Sequence, residues 1–412
     1  MPIVRPLRIL LATYWHLPHV GGVSNFMDLL AQELRARGHH VDTIGHTENM
    51  LGIYMLETGL YVEKKPIKDY VYETMLSFFD TQIPLVDPWI RWREIERYTY
   101  ELACLLLGVH NYDVIHTQDI VSTRAISRVK SRNSAHVATI HGLLLTEYLA
   151  SGEIKSRSSM PFAYAKAEEY FGSTSADVTM VPADWLRQRM SEECGVPRDR
   201  LRVVPYGLDV EKFLLATRHW PENVPRLRGR FMILCPARFV AVKGHRVLLE
   251  AVHKLKKEFR LTVWLAGEGD LRGELEAYSA ELGLEDNVVF LGARDDVPAL
   301  IRMADVVVLP SLQDTLPFTV MESQVAGVPL VASRVGGIPE MIEDGRTGLL
   351  ASPGNPEDLA AKLGSLLRDD RRRKELGETA RKFGRTAWAS GPLVDRILGA
   401  YEEALRKKGG RA

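Results

Sequence analysis

The sequence predicts an α/β protein built from two doubly wound parallel sheets. Its 412 residues exceed the roughly 100–200 residues of an ordinary domain, so two folded units are expected. Short apolar runs typical of buried strands alternate with amphipathic helices along most of the chain, and this alternation indicates parallel sheets with right-handed crossovers. Hydrophobic residues make up 46% of the chain and charged residues 26%, which are the proportions of a globular protein with a large core.

Charge and cysteine content exclude several classes of protein. Lys plus Arg and Asp plus Glu both number 53, so no global field favours nucleic acid or an anionic membrane. The three cysteines, Cys104, Cys194 and Cys235, have no paired spacing and predict neither a disulfide framework nor a zinc site. The N-terminal LRILLAT is interpreted as a strand rather than a signal peptide, and no window has the roughly 18 apolar residues of a transmembrane helix. A cytoplasmic protein is expected.

The first predicted domain covers residues 1–210. Strand LRILLAT, a loop ending in two glycines, helix VSNFMDLLAQELRAR and strand HVDTIG form one βαβ unit. Residues from about 46 to 110 interrupt the alternation with aromatic and basic side chains. They predict a helical insertion that either packs in the core or contacts an acceptor or a membrane surface. The alternation resumes at DVIHT and continues to LRVVP.

Two histidines and a glycine lie where strands of this domain are predicted to end. His116 and His141 each occupy the carboxyl end of a strand, where side chains of open α/β folds reach a ligand crevice. Gly22 precedes a helix whose N-terminus could approach an anionic ligand closely. Each feature also has a structural explanation, namely a core hydrogen bond for a histidine and a tight turn for the glycine.

The second predicted domain covers residues 211–387 and repeats the alternation from strand FMILCPA onward. Arg238 and Lys243 fall in one predicted strand-to-helix loop, where a guanidinium, an ammonium and a helix dipole can together hold a phosphate. Exposed salt bridges are the alternative explanation of these cations. Residues 388–412 contain an amphipathic helix that could dock on either domain. One option is that it crosses back onto the first domain.

Residues 304–334 are predicted to form a strand, a loop, a short helix and another strand. Asp314 lies on the loop and Glu322 one turn into the helix that begins at Phe318, so both carboxylates are expected at the mouth of the sheet. A helix cap and a solvated glutamate are the alternative explanation of the two acids.

Five predicted strand-end loops converge on one cleft between the two domains. Cations for a diphosphate and carboxylates for hydroxyl groups suit a sugar nucleotide, because a carboxylate that accepts two hydroxyls discriminates against analogues that lack them. The loops are those that carry Gly22, His116, His141, the pair Arg238 and Lys243, and the pair Asp314 and Glu322.

The sequence resembles the retaining glycosyltransferases of family 4, the group 1 transferases with the GT-B architecture of two Rossmann-like domains facing a central cleft. The resemblance extends nearly end to end, and its specific features are two acids with seven residues between them and an Arg-x4-Lys loop. The matching segments are PHVGGVSNFMDLLAQELRARGH, DVIHTQD, TIHGL, VVPYGLDVEKF, PARFVAVKGH, GEGDLRGELE, FLGARDDVPALIRMADVVVLPS, DTLPFTVMESQVAGVPLVAS and GGIPEMIEDGRTGLL.

The resemblance implies a role for each matching position. Arg238 and Lys243 would bind the donor diphosphate, and Glu322 would bind the ribose hydroxyls. Asp314 stands where the family contacts the donor sugar, and His141 would lie near the 6-position of that sugar. The candidate catalytic residues are accordingly His141, Arg238, Lys243 and Asp314.

Further donor contacts are expected at two helix N-termini. Gly22 matches the loop that closes over phosphate and acceptor. Because Pro317 has no N–H, the amides of Phe318 and Thr319 would bind the phosphate there. His116, the other histidine at a predicted strand end, is assigned to the acceptor.

Three positions depart from the family pattern. Asp314 replaces a glutamate, Pro317 replaces a glycine that many members use, and Tyr206 replaces an asparagine. The implied reaction is metal-independent sugar transfer with retention, in which the acceptor hydroxyl attacks on the leaving-group face and a donor phosphate oxygen accepts its proton. No cofactor is expected besides the nucleotide-sugar co-substrate.

Other functions are compatible with the same residues, since a fold does not fix a reaction. The alternatives are a sugar-nucleotide epimerase or phosphorylase on this fold, and a non-catalytic protein that binds a nucleotide sugar. The expected partners are a nucleotide-sugar donor and a sugar, lipid-linked or small-molecule acceptor, with no nucleic acid. Peripheral contact with the inner face of the membrane is left open.

Overall fold

The computed structural model describes residues 5–18, 21–219, 221, 224 and 229–409. The chain divides into two compact units, one made of Met1–Pro205 with Gly391–Ala412 and the other of Tyr206–Ser390. Each unit has its own sheet with helices between successive parallel strands. The predicted α/β class with two parallel-sheet domains is confirmed.

The first unit contains an eight-stranded sheet. Its elements in chain order are β1 (Arg8–His16), α1 (Gly22–Ala36), β2 (His40–His46), β3 (Gly52–Met55), β4 (Tyr61–Glu63), α2 (Lys64–Gln82), α3 (Pro88–Leu106), β5 (Val114–Thr117), α4 (Ile120–Val129), β6 (Ala135–Thr139), α5 (Leu144–Ser151), α6 (Met160–Thr174), β7 (Val178–Val181), α7 (Asp184–Cys194) and β8 (Leu201–Val203).

The strand order β4-β3-β2-β1-β5-β6-β7-β8 places β1 at the centre of this sheet. All pairings from β2 to β8 are parallel, and consecutive residues of β1 from Ile9 to Tyr14 are buried, as expected for a strand covered on both faces. After β1, the strands β2 to β4 extend the sheet on one side of β1, and the strands β5 to β8 extend it on the other side. The topological switch point of the unit therefore lies between β1 and β5.

The predicted helical insertion at about 46–110 is wrong in part. Its helices exist as α2 and α3, but the segment also contributes β3 and β4, which extend the sheet by antiparallel pairing at the β2 edge. Each of these strands is too short to show a clear period of two in the sequence. The segment therefore belongs to the sheet as well as to the helical layer.

The second unit contains a six-stranded sheet whose pairings are all parallel. Its elements in chain order are α8 (Val210–Ala216), β9 (Phe231–Pro236), α9 (His245–Leu255), β10 (Leu261–Ala266), α10 (Arg272–Glu281), β11 (Val288–Gly292), α11 (Val297–Met303), β12 (Val306–Leu309), α12 (Phe318–Ala326), β13 (Leu330–Ser333), α13 (Ile338–Met341), β14 (Leu349–Ala351), α14 (Pro356–Arg368) and α15 (Asp370–Ala387).

The strand order β11-β10-β9-β12-β13-β14 puts β9 beside β12. Successive strands run outward from β9 in one direction and from β12 in the other, so the switch point of this unit lies between them. The four residues of β12 are all buried, and Val306 and Val307 pair with the middle of β9. The loops that follow these two strands therefore emerge side by side.

The last helix, α16 (Ser390–Lys407), is assigned with the first unit from Gly391 onward. Its apolar stripe, which includes Leu393, Ile397 and Tyr401, is buried. Polar contacts hold it as well, because Lys407 Nζ donates to the Asp177 carbonyl oxygen at 2.8 Å. The chain therefore returns to the first unit after completing the second.

Large apolar side chains are exposed along α2, the turn that follows it and the first turn of α3. In the described part of the chain, no helix is long and apolar enough to cross a membrane. The sequence-based prediction that this segment contacts an acceptor or a membrane surface stays a prediction. The exposed residues are Tyr70, Tyr72, Leu76, Phe78, Ile83, Leu85 and Trp92.

Candidate functional site

The loop after β9 carries both predicted phosphate-binding cations. Arg238 is exposed, and its guanidinium has no hydrogen-bond or ion-pair partner among the residues that the structure describes. Lys243 ends a short 3-10 turn immediately before Gly244, which adopts φ +67° and opens α9. A Cβ at Gly244 would lie 2.1 Å from the Pro310 carbonyl oxygen, so only glycine lets this loop approach the loop after β12 so closely.

Backbone contacts join the loops after β9 and β12. The N–H of Leu312 donates to the Val242 carbonyl oxygen at 2.7 Å, and the N–H of Gln313 donates to the same oxygen at 3.3 Å. Because these bonds do not depend on side chains, they fix the distance between the cation-bearing loop and the acid-bearing loop.

Asp314 forms an ion pair with Lys243. The Lys243 Nζ lies 2.6 Å from Asp314 Oδ2, and the two side chains are only 18% and 12% exposed. The buried hydroxyl of Ser311 donates to the same oxygen at 3.2 Å. Asp314 therefore does not cap α12, which was the structural alternative, and it holds the ammonium group at the switch point.

The backbone of Asp314 is itself fixed by the turn after β13. Gly336 has φ +58°, and a Cβ at this position would lie 1.6 Å from the Asp314 carbonyl oxygen. The N–H of Gly337 donates to that oxygen at 3.3 Å. Any other residue at Gly336 would push the acid away from Lys243, because neither the left-handed backbone nor the space would tolerate a side chain.

The N-terminus of α12 provides backbone donors beside this ion pair. The helix begins at Phe318 after Pro317, and no side chain caps it. Its first N–H groups and its dipole therefore remain available to an anion. The Phe318 ring stacks on Tyr206 at 5.4 Å with an interplanar angle of 12°, which holds the first turn in place. Thr319 is anchored by its hydroxyl, which donates to the Pro236 carbonyl oxygen at 3.4 Å.

Glu322 lies one turn further along α12 and is partly buried. Its carboxylate makes no hydrogen bond or ion pair with any residue that the structure describes. Burial raises the pKa of Glu322 to about 7 because desolvation disfavours the charged form. A carboxylate left without partners in a partly buried position is arranged to accept hydrogen bonds from a ligand.

The first unit places Gly22 at the start of α1, in the connection after β1, and His141 just after β6. Gly22 is exposed and begins α1, whose N-terminus has no side-chain cap. His19 and Val20 of the predicted loop lie outside the described residues. His141 follows β6, packs edge-on against Phe26 at 5.2 Å, and burial lowers its pKa to about 3. The His141 ring is therefore neutral near pH 7.

The structure does not support the acceptor role predicted for His116. This residue is 0% exposed and lies within β5. Its Nδ1 lies 2.8 Å from the Tyr401 hydroxyl and its Nε2 lies 2.7 Å from the Thr139 hydroxyl. With both ring nitrogens engaged in the core, His116 is a structural residue, and the prediction that it binds the acceptor is wrong.

Sequence reasoning missed two buried residues that contact the His141 region. Gln118 is 1% exposed, and its Oε1 lies 3.0 Å from His141 Nε2. Glu169 Oε1 accepts from the N–H of Leu145 at 3.0 Å and so supports the start of α5 just after His141. Gln118 could have been noticed because it lies within the segment DVIHTQD, whereas no local pattern marks Glu169.

Metal-binding clusters of three or more His, Cys, Asp or Glu residues do not occur among the residues that the structure describes. Arg238 and Lys243 both lie between β9 and α9, at the switch point of the second unit. The arrangement as a whole combines an exposed guanidinium, an oriented ammonium, an uncapped helix N-terminus and a carboxylate without partners. Such a set can hold an anion next to a group that carries hydroxyls.

Known proteins resemble both halves of the chain. The D-inositol 3-phosphate glycosyltransferase of Corynebacterium kroppenstedtii is 28% identical over 94% of this chain and 86% of its own length. The MMP alpha-(1->4)-mannosyltransferase of Mycolicibacterium hassiacum is 25% identical over 97% of this chain and 99% of its own.

The fold also resembles solved structures. Sucrose-phosphate synthase from Thermosynechococcus elongatus has a TM-score of 0.76 at 19% identity, over 98% of this chain and 100% of that chain. At this level of identity the similarity concerns the fold alone.

Family models match the sequence in two consecutive segments. The model described as Glycosyltransferase Family 4 matches residues 20–212, and the model described as Glycosyl transferases group 1 matches residues 218–383. The resemblance predicted from the sequence motifs is thereby confirmed, and the chain belongs to the group 1 glycosyltransferases of family 4.

Proposed function

We propose that this glycosyltransferase moves a sugar from a nucleotide-diphosphate sugar to an acceptor hydroxyl with retention of configuration and without a metal. The observation that carries the proposal is the arrangement at the β9–β12 switch point, where the cations and the α12 N-terminus adjoin the partnerless Glu322. An anion site beside a carboxylate matches a diphosphate joined to a ribose.

The donor diphosphate would be held by charges and dipoles rather than by a metal ion. Arg238 can bind phosphate oxygens through two parallel N–H groups, and Lys243 contributes a point charge. The amides of Phe318 and Thr319 would add backbone donors at the positive end of the helix dipole. Preorganised donors aimed at developing charge typically contribute about 10²–10³-fold each in rate, so these groups together would stabilise the departing nucleoside diphosphate.

The chemical step would need no protein nucleophile. The bond between the anomeric carbon and the phosphate oxygen breaks while the acceptor oxygen bonds to that carbon on the same face. The acceptor proton passes to an oxygen of the leaving diphosphate, which accounts for both products. Asp314 would contact the donor sugar and keep its ion pair with Lys243. His141 would contact the sugar near its 6-position.

Sugar transfer is tested by incubating the protein with UDP-, GDP- and ADP-sugars, with and without sugar, lipid-linked and small-molecule acceptors. We expect the acceptor to stimulate release of a nucleoside diphosphate, a chelator to leave the rate unchanged, and NMR of the product to show the donor's anomeric configuration. Donor conversion without an acceptor would instead indicate an epimerase. Tight donor binding with no turnover across the panel would contradict an enzymatic role.

Lys243→Ala and Asp314→Asn should differ in their effect on nucleoside diphosphate binding. We expect Lys243→Ala to weaken it by roughly tenfold or more, because a phosphate loses a charged donor. Asp314→Asn should not weaken it, because the change removes a negative charge beside the phosphate, but it should reduce sugar transfer.

Calorimetry with the nucleoside diphosphate and with the nucleotide sugar measures both effects. Lys254→Ala, which loses an exposed ion pair with Glu357 in the same unit, is the matched control. If Asp314→Asn weakened nucleoside diphosphate binding as much as Lys243→Ala did, Asp314 would act only by holding the lysine.

Glu322→Gln should make the folded protein more stable above neutral pH and weaken its binding of nucleotide sugars. The pKa of Glu322 is raised to about 7 in the folded chain, whereas an unfolded glutamate ionises near 4.3. The folded protein therefore loses stability as pH rises from the unfolded pKa to the folded pKa of Glu322. Above the folded pKa the full destabilisation by the buried charge is present. We expect Glu322→Gln to be more stable than the parent at pH 8, by on the order of 1–3 kcal/mol, with little difference at pH 4.

The same variant should lose affinity for nucleotide sugars, and the parent's affinity should fall as pH drops through about 7, because only the ionised acid accepts two ribose hydroxyls. Urea midpoints at the two pH values and calorimetry across the range measure these effects. Equal affinity in parent and variant would remove Glu322 from the ribose site.

A further inference from the structure

A chain of buried polar contacts in the first unit connects the C-terminal helix to His141. The Tyr401 hydroxyl of α16 lies 2.8 Å from His116 Nδ1. The backbone carbonyl of His116 accepts a hydrogen bond at 3.2 Å from Gln118 Nε2, and Gln118 Oε1 lies 3.0 Å from His141 Nε2. Nothing in the proposed reaction uses Gln118, yet both Nε2 and Oε1 of its amide group form hydrogen bonds.

The orientation of the Gln118 amide follows from the chemistry of its partners. The His116 carbonyl can only accept a hydrogen bond, so the amide nitrogen of Gln118 must face it. The amide oxygen must then face His141, and because that oxygen can only accept, the hydrogen lies on His141 Nε2. A neutral imidazole carries one ring hydrogen, so Nδ1 of His141 is an acceptor.

The surroundings leave Gln118 little freedom to turn. Its side chain is 1% exposed, and His116, to which it is bonded, is fixed in β5 by register with Val137 of β6. The His116 ring is also held by Thr139 at 2.7 Å. Because Thr139 ends the strand that leads to His141, the same core group supports both the glutamine and the loop that it contacts.

We propose that Gln118 is a positioning residue that holds the His141 ring in its Nε2–H tautomer and in one orientation, so that His141 faces the sugar substrate as a neutral imidazole. This inference rests on the proposed function, in which His141 contacts the donor sugar. Gln118 itself would touch no reacting atom. Its amide is oriented by the His116 carbonyl, and the Tyr401 hydroxyl helps to fix His116.

The tautomer is tested by long-range ¹H–¹⁵N NMR of the full chain labelled with ¹⁵N-histidine. The signals of His141, among 12 histidines, are identified by their loss in His141→Gln. We expect a single Nε2–H species that does not titrate between about pH 5 and 8. Gln118→Met, which keeps the volume but removes the acceptor, should give a mixture of tautomers. A parent protein with the hydrogen on Nδ1, or unchanged signals in Gln118→Met, would overturn the proposal.

Gln118→Glu provides a second variant with a different signature. A carboxylate facing Nε2–H stabilises the imidazolium and raises the pKa of His141, so the ring should titrate within the accessible range. The pH profile of kcat/KM should then rise as His141 loses its proton. A profile identical in shape to that of the parent would contradict the proposal.

Steady-state kinetics separate positioning from general damage to the fold. Gln118→Met should lower kcat/KM for the donor by roughly 10- to 100-fold, as expected for the loss of a buried hydrogen bond in a reacting geometry. The control is Thr123→Val, which removes a buried hydroxyl bonded to Thr117 at 2.7 Å. It should leave the His141 signals and the shape of the pH profile unchanged.

Failure of this inference can be distinguished from failure of the proposed function. If no nucleotide sugar binds or reacts, the proposed function fails, and the NMR result still decides whether Gln118 sets the tautomer. If the tautomer shifts in Gln118→Met while kcat/KM equals that of the parent, Gln118 does not position His141 for the reaction, and the proposal is overturned.

Discussion

The pairing of β9 with β12 is the constraint on which the candidate donor site depends. It brings two loops together whose backbones are joined through the Val242 carbonyl oxygen. Gly244 permits this approach, because a side chain there would meet the Pro310 carbonyl oxygen, and Gly336 likewise lets the turn after β13 approach the Asp314 carbonyl oxygen. The positions of Lys243 and Asp314 thus follow from backbone geometry, and the side chains add one ion pair to a fixed frame.

Within this frame, the polar groups differ in how far their own fold satisfies them. Lys243 and Asp314 neutralise each other, whereas Arg238 and Glu322 have no partner in the described structure. Holding Glu322 partly buried without a partner costs stability, as its raised pKa indicates. Such a loss of stability is expected where buried polar groups form their hydrogen bonds only when a ligand is bound.

The sequence predicted the class of fold and the location of the polar groups because both depend on short-range patterns. Strand and helix periods are local, and residues that follow parallel strands necessarily reach one edge of a sheet. The sequence could not show that Asp314 reaches back to Lys243, since this contact requires the pairing of β9 with β12. It also missed β3 and β4, which are too short for a recognisable period.

The two histidines illustrate the same limit. His116 and His141 have equivalent places in the pattern, but one lies inside β5 with both ring nitrogens bonded, and the other lies beyond the end of β6. Register and the docking of α16 make this difference, and neither is encoded near the histidines. Gln118, which links the two, becomes noticeable only when the distances to both are known.

The proposed function requires that the β9–β12 switch point binds the nucleotide. A crystal structure of the protein with the nucleoside diphosphate that binds most tightly among UDP, GDP and ADP would locate it. We expect phosphate oxygens against Arg238, Lys243 and the first amides of α12, with the ribose hydroxyls on Glu322. A nucleotide bound elsewhere, or bound here with Glu322 still without a contact, would contradict it.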